Sequence, residues 1–150
     1  MKAVIQRVSH ASVTINGSVK SNIQEGMLVL LGVAEGDTQD DAEWLVKKIA
    51  ALRIFDDENG VMNRSIKETG GDIIVVSQFT LLASYKKGNR PSYIHAAKHE
   101  VSIPLYEHFC NRLSDEIGKK VGTGEFGADM KVELLNDGPV TICMDTKNKE

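Results

Sequence analysis

Cysteine is scarce in this 150-residue chain: Cys110 and Cys143 stand alone, with no CxxC pair and no disulfide framework. Reduced thiols, and with them a cytoplasmic protein, are the expectation. Long hydrophobic runs are missing too. The longest apolar stretch, Met27 to Ala34, is far too short to cross a bilayer, so no membrane partner is expected. The start, Met1-Lys2-Ala3-Val4-Ile5-Gln6-Arg7, lacks the continuous apolar core of a signal peptide. Nor is there an excess of positive charge, since 18 basic residues face 21 acidic ones for a formal net charge of -3. That excludes a generic nucleic-acid coat held by bulk electrostatics. No linker, repeat or low-complexity segment divides the chain. Residues 1–150 are expected to form one domain, with a frayed tail over 146–150.

The composition that remains, 41% apolar and 26% charged, is that of an ordinary globular protein. Ala3 to Val8 and Ala11 to Ile15 are rich in β-branched residues, and Asn16-Gly17 supplies a tight hairpin turn. Met27 to Val33 and Asp72 to Val76 have no polar face, which predicts strands covered on both sides. From Asp37 the period changes: Ala42, Leu45, Ile49 and Leu52 share one helical face, with Asp37 or Thr38 as cap. Val101, Leu105, Phe109, Leu113 and Ile117 recur every four residues, giving a second amphipathic helix with Pro104 in its first turn. Two helices among about eight strands predict a mixed α/β domain. Its expected form is three-layered and barrel-like: two β-sheets, with helices packed on one side.

Several candidate motifs carry little chemistry. Gly122-Thr123-Gly124-Glu125-Phe126-Gly127 spells GxGxxG, but a helix precedes it and a strand follows, so a glycine loop is expected rather than a dinucleotide fold. His95 and His99 are four apart and could share a helical face as metal ligands, with Glu100 or His108 as a third. No cysteine or carboxylate cluster supports them, and no metal or other cofactor is expected. There is no GxSxG elbow. Instead, Ser77-Gln78-Phe79-Thr80-Leu81 puts three polar side chains at the end of a wholly apolar strand. Amides and hydroxyls there can face a carbonyl whose oxygen becomes an oxyanion. Asn136-Asp137-Gly138-Pro139 reads as a hairpin turn joining strands Met130 to Leu135 and Val140 to Met144. Proline directly after the turn glycine is awkward, because it removes an amide donor from the returning strand; a cis Gly138-Pro139 bond stays open.

Together, Ser77-Gln78-Phe79-Thr80-Leu81 and Asn136-Asp137-Gly138-Pro139-Val140-Thr141 resemble the two signature motifs of the D-aminoacyl-tRNA deacylases, also called D-tyrosyl-tRNA deacylases. The resemblance runs nearly end to end, through Gln6-Arg7-Val8, Gly88-Asn89-Arg90-Pro91-Ser92 and Gly124-Glu125-Phe126-Gly127-Ala128-Asp129-Met130. It implies a homodimeric editing hydrolase that cleaves the ester between a D-amino acid and the 3′-terminal adenosine at the tRNA acceptor end, and that also accepts glycyl-tRNA. It implies that Ser77, Gln78, Phe79 and Thr80 form the catalytic segment. A cis Gly138-Pro139 peptide would enter the partner subunit's site, Phe126 and Met130 would wall the adenosine and amino-acid pocket, and Arg7 would brace the Gly-Pro segment. A dimeric RNA-binding module of the same fold without turnover is the alternative. Charge is also uneven. Residues 81–100 carry Lys86, Lys87, Arg90 and Lys98 against Glu100 alone, whereas 35–58 hold eight acids and three bases. A mild net negative charge therefore leaves room for a local tRNA contact.

Overall fold

The computed structural model describes residues 1–150. Strand β1 (Lys2–Ile15) turns at Asn16-Gly17, both in left-handed backbone geometry, into β2 (Ser18–Ile23), and β3 (Gly26–Gly32) follows. Helix α1 (Gln39–Ala51) begins at Thr38, where the Asp41 carboxylate returns to the Thr38 amide at 2.9 Å in a capping box. A two-stranded sheet of β4 (Phe55–Asp56) and β5 (Met62–Arg64) precedes the short helix α2 (Ile66–Thr69). Then come β6 (Asp72–Ser77), a 3-10 turn over Phe79–Leu82, α3 (His99–Ile117), β7 (Gly122–Thr123) and β8 (Lys131–Asp145). Pro104 is the sixth residue of α3 rather than a member of its first turn.

β1 organises the sheet. Its residues 2–8 pair with β3, residues 11–15 pair with β2, and β8 runs antiparallel along the whole opposite edge. β6 adds parallel to β3, and β7 adds parallel to β6. β7 then meets β2, where Ser21 Oγ accepts the Thr123 amide at 3.0 Å and donates to the Thr123 carbonyl. The sheet thus nearly closes on itself.

Both apolar strands are covered twice, as their sequences require. Met27, Val29 and Leu31 of β3, with Ile73 and Val75 of β6, pack under the helices against Leu45, Ile49, Phe109 and Leu113. Each fully buried side chain of this size contributes about 1.5–3 kcal/mol. Leu28, Ile74 and Val76 point the other way, into a barrel interior shared with Val8, Ala11, Val13 and Ile23. The mixed α/β, barrel-like class with helices on one side is what the structure has. The second covering layer is the far half of the same sheet, while the separate sheet is only the small β4–β5 pair.

Further expectations are corrected. Asn136 to Pro139 do not turn a hairpin: 131–145 form one strand, because β1 is long enough to pair with both halves. Nor is 146–150 a loose tail where it leaves β8. Thr146 is buried, its amide donates to the Met1 carbonyl at 2.9 Å, and its hydroxyl accepts from the Met1 ammonium at 2.8 Å. Asp37, read as a possible cap, instead binds that ammonium at 2.7 Å. Lys147 pairs with Asp41 at 2.9 Å, and Lys149 lies over the Trp44 ring. No helix is long and apolar enough to cross a membrane.

Candidate active site

The first candidate segment sits where β6 ends. Ser77 is the last strand residue, and the Gln78 amide still reaches the Leu31 carbonyl at 2.7 Å before the chain tightens into the 3-10 turn. The turn lies directly on β3 because residue 32 is glycine. A methyl group there would stand 2.6 Å from Leu82 Cδ2 and 3.0 Å from the Gln78 carbonyl oxygen. Phe79 and Thr80 occupy the first two positions of the turn, whose opening amides have no acceptor within it. Phe79 is half exposed and stacks edge-on with Tyr93 at 4.9 Å. The Thr80 hydroxyl accepts from the Gln78 side-chain amide. An amide nitrogen cannot take up a proton, so this partner does not activate Thr80 as a nucleophile.

Behind the segment is a narrow pocket lined by Leu31, Val33, Ser77, Gln78, Phe79, Ala97, Ser102, Tyr106 and Phe126. None of these side chains carries a charge at neutral pH. Phe126 is held edge-on by His99 at 5.3 Å and by Tyr106 at 6.1 Å. Tyr106 donates to the Val75 carbonyl at 2.7 Å, and burial pushes its phenol far above the usual range. Burial likewise pushes the neighbouring Cys110 thiol up to about 12, leaving it inert. Ser77, Gln78, Phe79 and Phe126 therefore meet at one neutral pocket, with Thr80 at its lip. Met130 does not join them. It packs over Gly124, beside the barrel interior near Val13.

The second segment lies elsewhere in the chain. Between the pairs Gln6–Thr141 and Val8–Asn136, residues 137–140 bulge out of β8 opposite Arg7 alone. The Gly138-Pro139 peptide is cis, and Gly138 has φ 130°, a backbone geometry that side chains disfavour. Arg7, nearly buried, fills the gap. Its Nε donates to the Asp137 carbonyl at 2.9 Å, and its Nη1 donates to the Ile54 carbonyl at 2.7 Å and the Asp56 carboxylate at 3.3 Å. Beside the bulge opens a polar groove whose charged lining is Glu25, Asp56, Asp72 and Asp137 against Arg7 and Arg64.

Register fixes how far apart the segments are. Arg7 pairs with Met27, and Met27 with Ile73, so the bulge is level with the beginning of β6. Ser77 is four residues further on, about 13 Å along the strands, and three strand spacings away, about 14 Å across. One chain therefore does not bring Gly138 and Pro139 to Ser77–Thr80. His95 precedes α3 and shares no helical face with His99. Sequence reading did not single out Tyr106, Ser102 or Ala97 as pocket residues. Tyr106 and Ser102 carry the helical spacing of core positions on α3, and only the fold turns that stripe toward the end of β6.

The sequence profile of the family described as D-Tyr-tRNA(Tyr) deacylase matches residues 4–145. The protein named D-aminoacyl-tRNA deacylase in Phocaeicola vulgatus is 73% identical over 150 residues, the whole of both chains. The one so named in Porphyromonas gingivalis is 58% identical over the same span. Among solved structures, one titled c-Myc DNA Unwinding Element Binding Protein superposes with a TM-score of 0.89 at 42% identity, covering 97% of this chain and 98% of that one. Another, titled as a probable eukaryotic D-amino acid tRNA deacylase, reaches a TM-score of 0.82 at 18% identity, covering 95% and 97%, a likeness of fold.

Proposed function

The chain belongs to the D-Tyr-tRNA(Tyr) deacylase family, and on that premise we propose that it hydrolyses the ester joining a D-amino acid to the 3′-terminal adenosine of tRNA. The observation that carries this reading is the union of Ser77, Gln78 and Phe79 with Phe126 in one uncharged pocket. An aminoacyl ester is already activated, and the adjacent ribose 2′-hydroxyl orients a water molecule, so no ionised side chain is required. Water attacks the ester carbonyl carbon. Amides at the start of the Phe79–Leu82 turn stabilise the oxyanion, the bond to the ribose oxygen breaks, and that oxygen leaves with the proton. Free D-amino acid and tRNA result. This editing reaction places the enzyme in the cytoplasm, with the other components of translation.

Selection of the D-enantiomer is assigned to Gly138 and Pro139. If the ester and the α-ammonium are both pinned, inversion at Cα exchanges hydrogen and side chain, and a backbone wall then excludes the L-residue. Glycine has no side chain to exclude, so glycyl-tRNA is accepted. Because the bulge and the pocket lie far apart in one chain, the wall is supplied by the second subunit of a homodimer. Arg7 holds the bulge in shape, and Met130 supports the glycine loop that carries Phe126. The exposed segment with Lys86, Lys87, Arg90 and Lys98 leaves the same strand end and meets the acceptor-end phosphates.

The test is release of amino acid from D-tyrosyl-tRNA and L-tyrosyl-tRNA by the wild type and by Thr80→Ala. Cleavage of the D-ester alone is expected, with Thr80→Ala close to wild type. Binding without enantioselective cleavage would sink the proposal, and an inactive Thr80→Ala would point instead to Thr80 as a nucleophile that forms an acyl-enzyme.

A further inference from the structure

The chain that leaves the Phe79–Leu82 turn is pinched into a loop at once. Ser84 and Ser92 exchange two backbone hydrogen bonds, at 2.7 Å and 2.8 Å, so residues 85–91 form a loop on a closed neck. Every residue of that loop is exposed, and none is acidic. Lys67, Lys119, Lys131 and Lys147 all hold carboxylates elsewhere on the surface. Lys86, Lys87 and Arg90 form no ion pair. Tyr85, at 77%, is the most exposed large apolar side chain of the protein, and unlike Phe79 and Tyr93 it packs on no other ring.

Beside Tyr85 lies an open depression of about 530 Å³, within the size range of small-ligand pockets. Leu82 and Ala83 line it with the Tyr85 and His95 rings and with Lys2 and Lys86, and no carboxylate does. Lys2 pairs with Gly32, the residue on which the Phe79–Leu82 turn lies, so the depression abuts that turn. Tyr85 follows Thr80 by five residues, a reach of at most about 18 Å. An ester held at the turn leaves the nucleotides that precede it in reach of Tyr85. We propose that the depression takes an unpaired base of the tRNA acceptor strand on the 5′ side of the terminal adenosine, stacked on Tyr85, with Lys86 and its loop neighbours on the flanking phosphates. The charge fits a polyanion, and stacking on an aromatic ring tolerates any base, as an enzyme meeting many tRNAs requires. This rests on the deacylase reading above and adds to it a second contact, remote from the reacting ester.

The test compares wild type, Tyr85→Ala and Tyr85→Phe on two substrates, D-tyrosyl-tRNA and the short ester D-tyrosyl-adenosine. Losing one stacked base should raise KM for the tRNA about fivefold to 150-fold in Tyr85→Ala. The short ester does not extend to Tyr85, so all three proteins should cleave it equally. Tyr85→Phe keeps the ring and should match wild type on both. An unchanged KM for the tRNA in Tyr85→Ala would overturn the proposal, as would an equal loss on the short ester or a Tyr85→Phe as weak as Tyr85→Ala. If Tyr85→Ala instead changes the sedimentation coefficient, the patch is a contact between copies of the chain, and the proposal also falls. If wild type cleaves neither ester, the deacylase reading fails separately. Binding of uncharged tRNA, intact or lacking its unpaired 3′ end, then still decides the role of Tyr85: Tyr85→Ala should weaken binding of the intact tRNA alone, and any other pattern would contradict it.

Discussion

At the end of β6 the protein makes a recess out of apolar burial, with Leu31, Val33, Ala97 and Phe126 around Ser77, Gln78 and Ser102. At the β8 bulge it makes a projection out of backbone, with Gly138 and Pro139 pushed outward and one arginine tying the Asp137 carbonyl of the loop to the Ile54 carbonyl before β4. The recess is neutral and leads to a segment rich in lysine, whereas the bulge borders a groove where carboxylates outnumber guanidiniums. A polyanion is therefore attracted to one end and repelled from the other. Shape gives the same contrast: one is a concavity at a strand end, the other a projection from a strand. The proposed homodimer joins the two.

Breaking the bulge should have the largest effect. Arg7→Ala leaves the Ile54 and Asp137 carbonyls without their donor, at a cost of about 2–3 kcal/mol. A fall in melting temperature of about 5–10 °C should follow, and D-tyrosyl-tRNA turnover should drop at least about a hundredfold as the segment moves. Thermal scans and single-turnover deacylation check both. Breaking the recess from behind comes next. Gly32→Ala pushes on Leu82 and Gln78, displacing the Phe79–Leu82 turn; deacylation should fall about 10- to 100-fold, with about 1–3 kcal/mol lost in denaturant titration. The smallest effect sharpens the electrostatic contrast. Joint Lys86→Ala and Lys87→Ala should raise KM at low salt and flatten its dependence on log salt by about 1.5, with kcat unchanged.

Much of this contrast was legible in the sequence, for physical reasons. Strands such as 27–33 and 72–76 have no polar face, so their double burial follows from composition, and Ser77-Gln78 stand out because polar side chains end such a strand. Asn136 to Pro139 misled because local turn propensity is short-ranged. Whether the chain reverses there depends on a partner edge 130 residues earlier, at Arg7. The anchored end at Thr146 was hidden for the same reason, since its partners are Met1 and its neighbours around Asp37. Ser102 was invisible as a polar feature because a serine on a helix is ordinarily satisfied by its own backbone. Here the Lys98 carbonyl already accepts the Val101 and Ser102 amides, and Ser102 Oγ is buried without a partner.

The claim that recess and bulge complete each other across two subunits can be tested by mixing variants disabled at opposite ends. Gly32→Ala impairs the recess. Gly138→Ala impairs the bulge, since a methyl there would meet Val140 and Arg7 at 2.9 Å and 3.1 Å. Unfolded and refolded together, equal amounts of the two weakly active proteins should form mixed dimers, each with one intact recess facing one intact bulge. Deacylation of D-tyrosyl-tRNA should recover to about a quarter of wild type. Activity that stays at the mean of the two single variants, at every mixing ratio, would contradict a site shared between subunits.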